Sequence, residues 1–161
     1  MMIKNITGVL VICVTAAVIG SSALELPPEC NDYHILNDTT RNVSHGREEY
    51  CDQYGRPSSS PDWLYGDQWY RLMPPAGVVI PQNSVGYQQC GTSYPGWIRG
   101  THPTDVGAQV EVELCFSGDT GDSDDCLWSK NILVTHCDQY YVYFLPETPH
   151  CYLRYCGADT L

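Results

Sequence analysis

Eight cysteines, Cys30, Cys51, Cys90, Cys115, Cys126, Cys137, Cys151 and Cys156, constrain this chain more than any other feature. A ninth, Cys13, stands apart inside an N-terminal apolar run. An even set is what complete pairing into disulfides requires, and disulfides persist in oxidising compartments. The set therefore predicts one disulfide-tied extracellular unit from Cys30 to Cys156. Spacing alone leaves roughly a hundred pairings open.

The N-terminus agrees with that compartment. Residues 1–23 read as a secretory signal peptide: Lys4 is the positive residue, 8–20 is an uncharged apolar run, and Ser21-Ser22-Ala23 supplies small residues for cleavage. The run is shorter than the ~20 residues that cross a bilayer, so the mature chain is expected to lack a membrane span. Residues 24–29 form a short leader stiffened by Pro27-Pro28, residues 30–156 the domain, and residues 157–161 a C-terminal tail. The formal charge is −11, which repels nucleic acid and anionic membranes.

Strand signals dominate between the cysteines. In residues 107–116, Val110, Val112, Leu114 and Phe116 alternate with Gln109, Glu111, Glu113 and Cys115, the period of a strand with one buried face. Residues 131–136 and 140–145 are rich in β-branched and aromatic side chains, and residues 67–73 form a fourth candidate stopped by Pro74-Pro75. Tyr94-Pro95-Gly96 and residues 118–121 read as turns, and residues 40–50 as a turn or two of helix. The expected fold class is β-rich, mainly antiparallel with much irregular structure.

The residues around the cysteines resemble the eight-cysteine domain of uromodulin, the zymogen-granule glycoprotein and oncoprotein-induced-transcript-like relatives. The resemblance runs through Cys30-Asn31-Asp32-Tyr33, Cys51-Asp52, Trp69-Tyr70-Arg71, Cys90-Gly91-Thr92 and Gly100-Thr101-His102-Pro103. It continues through Cys126-Leu127-Trp128, Tyr140-Tyr141-Val142-Tyr143 and Cys151-Tyr152-Leu153-Arg154-Tyr155-Cys156. It implies the pairs Cys30–Cys137, Cys51–Cys151, Cys90–Cys156 and Cys115–Cys126. It also implies a glycan on an Asn directly after the Tyr-Val-Tyr run, where this chain has Phe144, and another where it has Arg99. The sequons that remain in the mature chain are Asn37-Asp38-Thr39 and Asn42-Val43-Ser44, so Asn37 and Asn42 are the expected N-glycosylation sites.

Other chemistry is thin. Asp119, Asp122, Asp124 and Asp125 offer hard oxygen ligands for calcium, but counting from Asp119 the EF-hand glycine and terminal glutamate are missing, and a solvated hairpin tip is the simpler reading. His34, His45, His102, His136 and His150 lack metal-ligand spacing, and His102 reads as a hydrogen-bonded turn residue. No nucleophile elbow, triad context or phosphate loop is present, so no catalytic residue, cofactor or metal is assigned.

Aromatic residues are the better lead, with 12 Tyr and 4 Trp against 2 Phe. Tyr and Trp combine apolar area with a polar edge and recur at recognition surfaces. Trp69, Trp97, Trp128 and Tyr141–Tyr143 match the family pattern and are assigned to the core. Trp63, Tyr65, Tyr87 and Tyr94 are assigned to loops as surface candidates. The sequence thus predicts a secreted, glycosylated, non-catalytic module for a glycan, microbial or matrix ligand. The alternative is a disulfide-rich inhibitor or toxin-like effector of an extracellular enzyme or channel, acting through the 119–125 loop.

Overall fold

A computed structural model of the chain describes residues 25–54, 62–120 and 125–161. The signal-peptide segment 1–23 lies outside the described residues, as do Asp122 and Asp124 of the calcium candidate.

The structure is β-rich. Its strands are β1 (His34–Leu36), β2 (Gln68–Leu72), β3 (Tyr94–Arg99), β4 (Gln109–Phe116), β5 (Trp128–His136), β6 (Tyr141–Leu145) and β7 (Leu153–Tyr155). They form one seven-stranded sheet in the order β1-β2-β6-β5-β4-β3-β7. The inner pairings are antiparallel, and the two edge strands, β1 and β7, pair parallel to β2 and β3. Among the described residues helix is confined to 3-10 turns at Pro28–Cys30 and Thr39–Arg41, so the helical reading of 40–50 reduces to the latter. Asp38 caps that turn through its side chain, which accepts from the Thr40 amide.

The alternation read in β4 builds the core. Val112, Leu114 and Phe116 are buried, and each faces its β5 partner across the ladder, down to Phe116 opposite Trp128. The same face of β2 and β6 adds Tyr70, Leu72, Tyr143 and Leu145, and Leu64, Ala76 and Ile80 from the β2-flanking segments cover it. Successive side chains point to opposite faces of a strand, so Trp69, Arg71, Val142 and Phe144 lie on the other face. There Cys30, Cys137 and Val142 form a small second cluster against Leu26, Tyr33, Trp69 and Tyr140.

Tyr94-Pro95-Gly96 opens β3 rather than making a turn. Gly96 lies opposite Phe116, and a Cβ there would stand 3.0 Å from the Arg154 carbonyl and 3.1 Å from the Phe116 ring. The glycine is needed for close approach of backbones, not for chain reversal.

Disulfides join Cys30 to Cys137, Cys51 to Cys151, Cys90 to Cys156 and Cys115 to Cys126. The last closes the β4–β5 hairpin; the others tie the N-terminal half to the final strands.

Candidate functional site

Asp62 anchors the segment that carries Trp63 and Tyr65. Its carboxylate accepts from Arg41 Nε (2.8 Å), Arg154 Nη2 (3.0 Å) and the Asp38 amide (3.1 Å). Burial opposes its charge, but the two guanidiniums outweigh that and hold its pKa below the usual value. Leu64 enters the core. With Asp62 and Leu64 turned inward, Trp63 and Tyr65 are left 48% and 59% exposed. Tyr65 packs beside His34, ring centroids 5.3 Å apart, while no ring contact joins it to Tyr87 or Tyr94 among the described residues.

Tyr87 and Tyr94 do come together, at 5.6 Å between centroids. Tyr94 is the first residue of β3, not a loop residue as its sequence context suggested. Its ring meets Trp128 edge-on at 4.9 Å, and Trp128 meets His150 at 5.9 Å. Tyr87, Tyr94 and Trp128 are partly exposed and His150 is exposed, so the four rings form a continuous array at the end of the core.

Hydrogen bonds and disulfides hold the segments that carry the array. Gln88 N–H donates to the Ser93 carbonyl, folding Tyr87 back toward Tyr94, and Cys90–Cys156 pins that loop. Cys115–Cys126 fixes the hairpin end from which Trp128 starts, and Cys51–Cys151 holds the chain beside His150. Sequence reasoning missed Trp128 and His150. Trp128 was assigned wholly to the core because its family motif implied it; it packs there but keeps one side in solvent.

The remaining assignments to the interior hold in part. Trp97 is buried opposite Cys115 and donates its Nε1–H to the Asp125 carbonyl (3.2 Å). Trp69 is only half buried, beside the Cys30–Cys137 bridge. His102 is buried, with Nδ1 2.8 Å from Gln82 Nε2 and Nε2 2.9 Å from Tyr143 Oη. Burial pushes its pKa down to about 4, so it is a neutral structural imidazole at neutral pH.

The two sequons differ. Asn37 is exposed. Asn42 is only 8% exposed, its Nδ2 donates to Asp159 Oδ1 (3.1 Å), and its Oδ1 accepts from the Ser44 amide (2.9 Å) and hydroxyl (2.6 Å). Asp119 is exposed. Among the described residues the metal-like grouping is Glu113 with Cys115 and Cys126, and both sulfurs are committed to their disulfide.

The family model of the uromodulin-like eight-cysteine domain matches residues 70–157. The chain belongs to the uromodulin-like domain family. It is 32% identical over 133 residues to the pancreatic secretory granule membrane major glycoprotein GP2 of Mus musculus, covering 79% of this chain and 22% of that protein. To uromodulin of Rattus norvegicus it is 33% identical over 138 residues, 84% of this chain and 19% of the relative. This uromodulin-like chain therefore spans about a fifth of the length of the curated relatives it matches. Their names carry no enzymatic activity. The chain is an extracellular protein, and its four disulfides suit an oxidising compartment. No helix among its described residues is long and apolar enough to cross a membrane.

Proposed function

We propose that the chain is a non-catalytic recognition module that docks an extracellular glycan on the Tyr87–Tyr94–Trp128–His150 array. The observation that carries this reading is the mounting of the array: four adjacent rings, partly open to solvent, with three disulfides beside them. Aromatic side chains offer large contact area at little entropic cost, and rigid presentation lowers the ordering cost of binding. The −11 charge disfavours polyanionic glycans and leaves sparsely charged ones.

The test is an array of extracellular glycans probed with natively folded protein. A Trp128→Ala variant is expected to lose about 2 kcal/mol of binding, as a central anchor does. Trp63→Ala and Tyr65→Ala are expected to leave it unchanged. A blank array with folded protein, or binding indifferent to Trp128, removes the reading.

A further inference from the structure

Arg71 is held in an arrangement unlike that of the other arginines. It lies on β2, on the face of the sheet away from the core, with Ile35 as its β1 partner. Its guanidinium carbon sits 3.6 Å from the centroid of Tyr140 and 5.7 Å from that of Tyr33. Nη1 donates to Tyr33 Oη (2.9 Å). Tyr140 in turn donates its hydroxyl to the Cys30 carbonyl (2.6 Å), and Cys30 is bridged to Cys137. The cation thus lies over one ring and is held at one nitrogen by another.

The other terminal nitrogen is the donor left over: Nη2 makes no hydrogen bond among the described residues, while Nε is enclosed by the packing. Every other described arginine has a carboxylate within 4.0 Å: Arg41 has Asp52, Arg47 has Glu49, Arg99 has Glu113 and Arg154 has Asp62. In a chain with 19 acidic and 8 basic residues, the arginine without a carboxylate is the exception. The terminal nitrogens of a guanidinium form a planar fork that matches the oxygens of a carboxylate.

The surroundings select the kind of carboxylate. Ile35 is 51% exposed beside Arg71. Trp69, on the same face of β2, meets Phe144 edge-on at 5.5 Å. Apolar rings around a single cation suit a small rigid group with one charge and C–H faces. A polyanion would meet the acidic remainder of the surface.

We propose that Arg71, with Tyr33, Tyr140 and Trp69, forms a binding site for the carboxylate of an acidic sugar. The site lies on the opposite face of the sheet from the ring array and stands independently of it.

The natively folded chain is titrated with the methyl glycoside of N-acetylneuraminic acid, with its methyl ester and with the amide of N-acetylaspartate, following arginine Nε–H and tryptophan Nε1–H resonances by proton–nitrogen NMR. The acid sugar is expected to shift the Arg71 and Trp69 signals, and the ester to bind at least about tenfold more weakly, as loss of a charge-assisted hydrogen bond implies. Arg71→Lys is expected to weaken the acid sugar by about tenfold, because a point charge does not reproduce the flat fork. Should that variant fail to fold, the acid-against-ester comparison on the unmodified chain decides alone. Equal binding of acid and ester, tighter binding of the aspartate amide, or no Arg71 shift overturns the proposal.

Discussion

Arg41 and Asp52 form a two-pronged ion pair in the interior, Nη1 to Oδ2 at 2.8 Å and Nη2 to Oδ1 at 2.7 Å, with neither side chain exposed. Burial opposes the Arg41 charge, but Asp52 and Asp62 more than offset it and raise its pKa. Arg154, buried beside the same aspartates, is held down to about 10 by burial and by the like charge of Arg41. Asp52 also accepts from the Tyr155 amide (2.9 Å), joining the segment after β1 to the last strand.

Removing one member of such a pair strands the other in a medium that cannot solvate it. Asp52→Ala is expected to destabilise the chain by about 3–5 kcal/mol. Urea unfolding with the disulfides intact measures this, and a loss below about 1 kcal/mol would show that the pair is not buried as described.

Much of this architecture was legible in the sequence, and the failures have physical causes. β4 announced itself because its inward residues Val110, Val112, Leu114 and Phe116 meet the core while Gln109, Glu111 and Glu113 meet water. β1 and β7 were not read. Each has three residues, too few to display a period, and each exists because a distant strand offers a parallel edge. Tyr94-Pro95-Gly96 looked like a turn because local chemistry cannot reveal that Gly96 must admit Phe116. The ring array was half visible: Tyr87 and Tyr94 were singled out, but Trp128 and His150 join them only through tertiary packing.

His102 gives the fold a pH dependence of defined sign. Its folded pKa, about 4, lies below the ordinary 6.5, so the unfolded chain takes up that proton first. Its contribution is complete above pH 6.5, declines as pH falls, and levels off below pH 4. The loss across that window is expected to be on the order of 3 kcal/mol. Asp62 acts lower, since its depressed pKa delays protonation below 3.8. In unfolding free energies measured from pH 7 to 4, His102→Gln should flatten the slope; an unchanged slope would assign it to other groups.

Asn37 and Asn42 are expected to differ in glycan occupancy. A glycan is bulky and needs a surface nitrogen, which Asn37 has. Asn42 is nearly buried, and its nitrogen is engaged by the Asp159 carboxylate and the Pro75 carbonyl. Intact mass of the secreted protein should drop by one glycan in Asn37→Gln and by none in Asn42→Gln. A glycopeptide mapped to Asn42 would reverse this.

Gly157 abuts the chain reversal after β2. A Cβ there would fall 2.0 Å from the Ala76 carbonyl oxygen, a backbone atom that cannot rotate away. Gly157 also pairs with Asn42 in an isolated bridge and donates its amide to the Arg41 carbonyl. Gly157→Ala is expected to lower stability by about 1–3 kcal/mol or more, as overpacking does. Gly46→Ala, where nothing lies within 4 Å, is the control and should leave the thermal midpoint nearly unchanged.

The four disulfides should not contribute equally. A bridge restricts the unfolded chain in proportion to the logarithm of the loop it closes. Cys115–Cys126 closes a separation of 11 residues and Cys30–Cys137 one of 107. On chain entropy alone that is about 3 against about 5 kcal/mol at room temperature. Cys30 and Cys137 also sit in the second apolar cluster, so replacing both by serine places two hydroxyls among Val142, Trp69 and Tyr140. The paired Cys115→Ser/Cys126→Ser variant should therefore remain folded and lose less stability than Cys30→Ser/Cys137→Ser. Denaturant midpoints of the two variants, each with its other bridges verified by mass, decide the order. The reverse order would mean that the native hairpin, rather than the unfolded chain, is what the short bridge acts upon.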